Sequence, residues 1–182
     1  MAQRTARLET RTARMRLVAL DAELARLQSE DRPAFFAALD AQDDSAWPPD
    51  IYDAAFLHKQ LDAAPDQVGW RPWVYLFPGG AGLPQRLVGM GGFHGPPDGA
   101  GEVELGYAVL PEFCNQGFAT EAVEGLLSWA FGQPKLQKVC ALIEPHHSPS
   151  RRVLEKAGFT NTGVIVDEDG DTVVRYIRHA GH

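Results

Sequence analysis

The chain has 182 residues, 45% of them hydrophobic, with 24 acidic against 17 Lys and Arg side chains and a net charge of −7. That length and apolar content fit one domain over residues 1–182, and the acidic balance argues against a nucleic-acid backbone as partner and mildly favours cationic partners. The absence of a transmembrane-length apolar run, a start without the apolar core of a secretion signal, and only two cysteines (Cys114 and Cys140, neither in a CxxC pattern) lead us to expect a cytoplasmic protein with free thiols and no membrane partner.

In chain order, Met15 to Leu20 reads as a first strand, and Asp21 can cap a helix with Leu24 and Leu27 on its apolar stripe. Pro33 opens a second short helix carrying Phe35, Phe36 and Leu39. A breaker-rich connector, Asp43 to Asp50, precedes a third helix from about Ile51 to Ala63. Trp73 to Phe77 and Arg86 to Phe93 read as a hairpin around the Gly/Pro turn Pro78 to Pro84. The fourth strand is Glu102 to Leu110, followed after Gly117 by a helix that buries Val123, Leu126, Leu127 and Phe131. Lys138 to Ile143 is a fifth strand. Ser148 or Ser150 can cap the next helix, which ends at Gly158. Phe159 to Val166 and Thr172 to Arg178 form a last hairpin around Asp169-Gly170. This order predicts an α/β (α+β) fold, a mixed, mostly antiparallel sheet of about seven strands with helices on both faces.

The segment Glu104-Leu-Gly-Tyr-Ala-Val-Leu-Pro-Glu-Phe-Cys-Asn-Gln-Gly-Phe-Ala-Thr120 runs from strand through a glycine turn into a helix start. Small residues at Gly117 and Ala119 let a ligand approach the backbone, and the open N–H groups of the first helical turn, with the positive dipole end, favour phosphate. Pyrophosphate is the guest that fits. One glycine before a helix can equally be a plain cap, and no phosphate-gripping Lys follows as in a Walker loop.

Together with Glu144-Pro-His-His-Ser-Pro-Ser-Arg-Arg-Val-Leu-Glu-Lys-Ala-Gly-Phe159, this segment resembles the GNAT superfamily of acetyl-CoA-dependent N-acetyltransferases, in particular its RimJ/RimL-like branch of ribosomal-protein N-terminal acetyltransferases. The resemblance covers about residues 14–178. It implies that the fourth and fifth strands splay apart to admit the pantetheine arm of acetyl-CoA along Tyr107, Ala108 and Val109, and that Asn115, Gln116, Gly117, Phe118, Ala119 and Thr120 hold the pyrophosphate through main-chain N–H groups. It also implies His147 as a cofactor contact where the family usually has Asn. Other departures are Cys114 for the usual Arg or Gln, Ala119 for Gly, Leu154 where a general-acid Tyr often stands, and Leu142 where some N-terminal acetyltransferases carry a Glu base.

Transfer of an acetyl group to an amine needs a neutral nitrogen, a polarised carbonyl and a departing thiolate. Glu104 is the candidate base. In an unbulged strand it shares a face with Glu102 and points opposite to Tyr107. A solvated strand carboxylate is the alternative role for it. A thiol pKa of about 8.5 already makes the thiolate a fair leaving group, and Cys114, Tyr107 and Ser150 are candidate proton donors to it. Cys140 reads as core. His146 and His147 lack a third ligand at metal-binding spacing, so no metal is expected. Of Trp47, Trp70, Trp73, Phe35, Phe36 and Tyr52, most read as core and two as acceptor-cleft walls. The expected acceptor is a protein N-terminus, a polyamine, an amino acid or an amine antibiotic, attacked directly. A homodimer could form through a sheet edge or the early helices. The rival reading is a non-catalytic acyl-CoA-binding module; a nucleotide-binding domain is disfavoured by the missing Walker Lys and GxGxxG.

Overall fold

The structure, a computed structural model, describes residues 6–49 and 53–181. It begins with a tight antiparallel pair, β1 (Glu9–Arg11) and β2 (Arg16–Ala19). Three helices follow, α1 (Ala22–Glu30), α2 (Arg32–Leu39) and α3 (Ala54–Ala63), with the short β3 (Ala41–Gln42) between the last two. Each helix starts on an aspartate. Asp21, Asp31 and Asp53 accept from Leu24 N at 2.8 Å, Ala34 N at 3.1 Å and Phe56 N at 2.9 Å, which satisfies a donor that the helix cannot satisfy itself. The third helix thus begins at Ala54; the expected start at Ile51, and Tyr52, lie outside the described residues.

The rest of the chain comprises β4 (Pro72–Phe77), β5 (Gln85–Phe93), β6 (Glu102–Val109), α4 (Phe118–Phe131), β7 (Lys138–Ile143), α5 (Ser148–Lys156), β8 (Thr160–Val166) and β9 (Thr172–His179). The sheet order is β1-β2-β4-β5-β6-β7-β9-β8, with β3 joined in parallel to β5. Neighbours along that path are antiparallel except β6 and β7. Nine strands rather than about seven are present because β1 and β3, too short and polar to show an apolar alternation, pair onto the sheet anyway. A second correction concerns α5: its cap is His147, whose Nδ1 accepts from Ser150 N at 3.3 Å, and not a serine.

In β4, Trp73, Val74, Tyr75 and Leu76 are fully buried in succession. Successive strand residues face opposite ways, so both sheet faces are covered there. The helices α1, α2 and α3 pack together, while α4 lies on β1, β5 and β6 and touches α5, which lies on β7. At the far edge β8 exposes Val164 and Val166. No helix of the described residues is long and apolar enough to cross a membrane.

What positions the site is the β6/β7 junction. The two strands pair only from Glu102/Lys138 to Glu104/Cys140. Beyond that, β6 continues to Val109 on β5 and β7 continues to Ile143 on β9. The strands diverge, as the expected splay requires.

Candidate active site

The loop before α4 takes left-handed conformations at Asn115 (φ 59°) and Gly117 (φ 82°). No side chain caps α4, so its first-turn N–H groups face outward from a helix end with positive partial charge. Arg14, in the β1–β2 turn, straps this loop. Its backbone N and its Nε each donate to Glu121 at 2.7 Å, Nη1 donates to the Gln116 carbonyl at 3.0 Å, and the guanidinium lies 4.2 Å from the Phe118 ring centre. In a trans peptide N–H and C=O point oppositely, so fixing the Gln116 carbonyl on Arg14 turns the Gly117 N–H to the other side. Burial works against ionisation of Glu121, but donors from Thr12 and Arg14 outweigh it and hold its carboxyl below the usual range.

Val109, Asn115, Gly117, Phe118, Ala119 and Thr120 line a cavity of about 470 Å³ between this loop and α5. Arg152 and Lys156, four residues apart on α5, add two cations to its wall. Open N–H groups, a glycine in the left-handed region and two cations suit a diphosphate. Gln116 is not among the residues lining this cavity; its carbonyl is held by Arg14 and its side chain donates to the Glu112 carbonyl at 2.7 Å. Cys114 is an exposed free thiol on the same wall. His147 is exposed and is not among the residues lining this cavity; its Nδ1 is occupied in capping α5.

A second cavity, of about 240 Å³, occupies the splay itself, walled by Tyr107 and Leu105 of β6, Leu142 of β7, Ser150 and His94. The Tyr107 hydroxyl donates across the gap to the Ser150 carbonyl at 3.2 Å. Burial pushes its pKa up to about 12. Ala108, paired with Met90 of β5, lines neither this cavity nor the one at the α4 loop.

The third cavity, of about 300 Å³, lies on the other side of His94 and is walled by Asp53, Phe56, Leu57, Arg71 and Phe93 among others. His94 borders both cavities, and its Nδ1 lies 3.2 Å from Glu104 Oε1. Glu104, half-exposed, lines neither cavity itself and is joined to them through His94. Glu102, two residues away, has a different job. It takes Arg175 at 2.5 Å and Lys138 at 2.9 Å. Although its burial favours the neutral acid, hydrogen bonds from Arg175 and Lys138 carry its pKa down to about 2. Cys140 is core, as expected, its thiol pushed up to about 12 by burial and by the Glu102 carboxylate. Leu154 is fully buried.

Sequence reasoning missed His94, Arg14, Arg71, Arg152 and Lys156. Only Arg152 and Lys156 carried a signal, their i, i+4 spacing on a helix beside the glycine loop. Most of the six aromatic residues are core, as expected. Trp47, Trp73, Phe35 and Phe36 are buried, Trp70 packs edge-on against Phe93 and Trp129, and Tyr52 lies outside the described residues. The aromatic residues that wall the third cavity are Phe56 and Phe93.

Comparison with known proteins decides what kind of site this is: residues 22–160 match the acetyltransferase (GNAT) domain. The chain belongs to the GNAT acetyltransferase family. A relative, the uncharacterized N-acetyltransferase YjdG of Bacillus subtilis (strain 168), is 27% identical over 150 residues, covering 81% of this chain and 87% of YjdG. The GNAT fold is shared with the ribosomal-protein-S5-alanine acetyltransferase of Vibrio fischeri (TM-score 0.65, 13% identity, 96% of this chain and 97% of that one). It is shared as well with Mycobacterium smegmatis RimJ, solved in complex with CoA-disulfide (TM-score 0.59, 21% identity, 91% and 82%). As a GNAT domain, this chain is an N-acetyltransferase. Its Leu154, sealed in the core, reflects packing and says nothing against catalysis.

Proposed function

We propose that the protein moves an acetyl group from acetyl-CoA to a primary amine held in the cavity beside His94, with the Glu104–His94 pair receiving the amine proton. The observation that carries this reading is the meeting of two spaces at one titratable pair. The splay and the α4 loop offer a path for the pantetheine and diphosphate of the donor, and the cavity on the far side of His94 is open to an acceptor.

The donor supplies an activated thioester carbonyl; the chain's residues do the rest. Asn115 to Thr120 present backbone N–H groups to the diphosphate, with Arg152 and Lys156 at its flank. A neutral His94 with its proton on Nδ1 donates to Glu104 and leaves Nε2 able to accept; Glu104 in turn fixes that tautomer. Nitrogen–carbon bond formation breaks the carbon–sulfur bond, the amine proton goes to the pair, and sulfur departs with the bonding electrons. Tyr107 is a poor acid for that sulfur, since a proton on a group of pKa about 12 moves uphill to a thiolate of about 8.5. The exposed edge of β8, with Val164 and Val166, is the surface that supports a homodimer.

Glu104→Gln tests the base. Loss of a general base lowers rates by roughly 10²–10⁴-fold, and the deficit is expected to grow as pH falls, where less of the amine is neutral, while acetyl-CoA affinity holds. Thiol release at the wild-type rate across the pH range would remove Glu104 from the mechanism.

A further inference from the structure

Arg71 is a partly buried cation in the wall of the 300 Å³ cavity, and its hydrogen-bond partners among the described residues are neutral. Its Nε and Nη2 donate to Gln67 Oε1 at 3.1 and 2.5 Å, and Nη1 donates to the His94 carbonyl at 3.2 Å. Among the described residues no carboxylate pairs with it. Burial alone pulls its pKa below the usual guanidinium value. Three of its five N–H donors are used, which leaves two, the number that a carboxylate accepts in a bidentate pair. Burying a guanidinium beside neutral oxygens costs free energy that an incoming anion would recover.

The same cavity holds the opposite charge as well. Asp53 lines it, with one carboxylate oxygen capping α3, and so does His94, whose Nδ1 lies 3.2 Å from Glu104 Oε1. Between these charged groups lie Phe56, Leu57 and Phe93. We infer that the acceptor carries a carboxylate beside its amine, and that Arg71 binds it: a free amino acid with an apolar side chain, its amine at Glu104–His94 and its side chain on Phe56 and Phe93. This rests on the proposed placement of the acceptor next to His94. Polyamines and other polycations would meet Arg71 as a like charge, so the cavity selects against them.

The test compares L-phenylalanine, L-leucine and L-methionine with their α-amides, with spermidine and with an alanyl peptide, following thiol release from acetyl-CoA by wild type and by Arg71→Gln and Arg71→Lys. The amide's amine is the less basic one, so a preference for the acid cannot come from the neutral-amine fraction. The acid is expected to exceed its amide in kcat/KM by about ten- to hundredfold, the worth of a charged hydrogen-bonded pair. Arg71→Gln should lower kcat/KM for the acid, through KM, far more than for the amide and so erase the preference, and Arg71→Lys should restore part of the difference. Equal use of acid and amide by wild type, or an equal fall of both in Arg71→Gln, overturns the inference. Turnover of spermidine or the peptide alone overturns it too, yet leaves amine acetylation standing. No turnover of any acceptor overturns both.

Discussion

Tyr107 shows how one side chain can look catalytic and be structural. It sits on the strand that borders the splay, yet its hydroxyl is held on the Ser150 carbonyl at 3.2 Å and its pKa is raised to about 12 by burial. Tyr107→Phe should therefore cost about 0.5–1.5 kcal/mol of stability, the net worth of one hydrogen bond, read as a lower thermal midpoint. It should lower kcat far less than Glu104→Gln; a deficit as large as that variant's would make the phenol the proton donor. At this scale the sequence shows Glu104 and the glycine loop, because strand parity and turn chemistry are local. His94 and Arg71 were not legible: each lies in a segment without periodic pattern, and their proximity to Glu104 or to each other is a product of the β4–β5–β6 register. Arg14 reaches the loop before α4 across a separation of 102 residues, which no local pattern records.

Among the elements, the β6/β7 junction carries the site and is pinned at its closed end by Glu102, which ties β6 to Lys138 of β7 and Arg175 of β9. The folded-state pKa of about 2 lies below the ordinary 4.5. Stability from this carboxylate is therefore fully present above about 4.5 and is lost as pH falls from there toward 2. Glu102→Gln should cost roughly 1–3 kcal/mol at neutral pH, the range for hydrogen bonds to charged groups, and should flatten the acid limb of a stability–pH curve measured by urea unfolding. A variant with the wild-type slope between pH 4.5 and 2 would show that Glu102 does not set it. Most elements were legible from turns, apolar periods and one capping aspartate: Asp21 and Pro33 mark their helices, and Asp169-Gly170 marks the last hairpin. β1 and β3 were not, since three and two residues cannot show an alternation, and only pairing to β2 and β5 makes them strands. The α5 cap was misplaced because a histidine nitrogen accepted where a serine oxygen is the usual choice.

For the whole molecule, three spaces lie in sequence around the proposed site: the cavity at the glycine loop before α4, the gap between β6 and β7, and the cavity beyond His94. The glycine loop, visible in the sequence, fixes one end, and the divergence of β6 from β7 supplies the middle. The end proposed to take the acceptor comes from α3, β5 and the segment before β4, whose mutual placement only the folded chain reveals. The central claim is that acetyl-CoA enters at the loop, and Gly117 is where it is most exposed to test. Gly117 holds φ 82°, a conformation costly for any side chain, and a Cβ there would come within 3.3 Å of Arg14 Nη2. Gly117→Glu would add a carboxylate where phosphate is to sit. Calorimetric titration of acetyl-CoA into wild type and Gly117→Glu, with ATP and NAD as controls, is the direct measurement. Selective, saturable binding by wild type, weakened at least about tenfold in a folded variant by like-charge repulsion and strain, is the predicted result; equal affinity in both proteins, or no binding to wild type, would contradict the account.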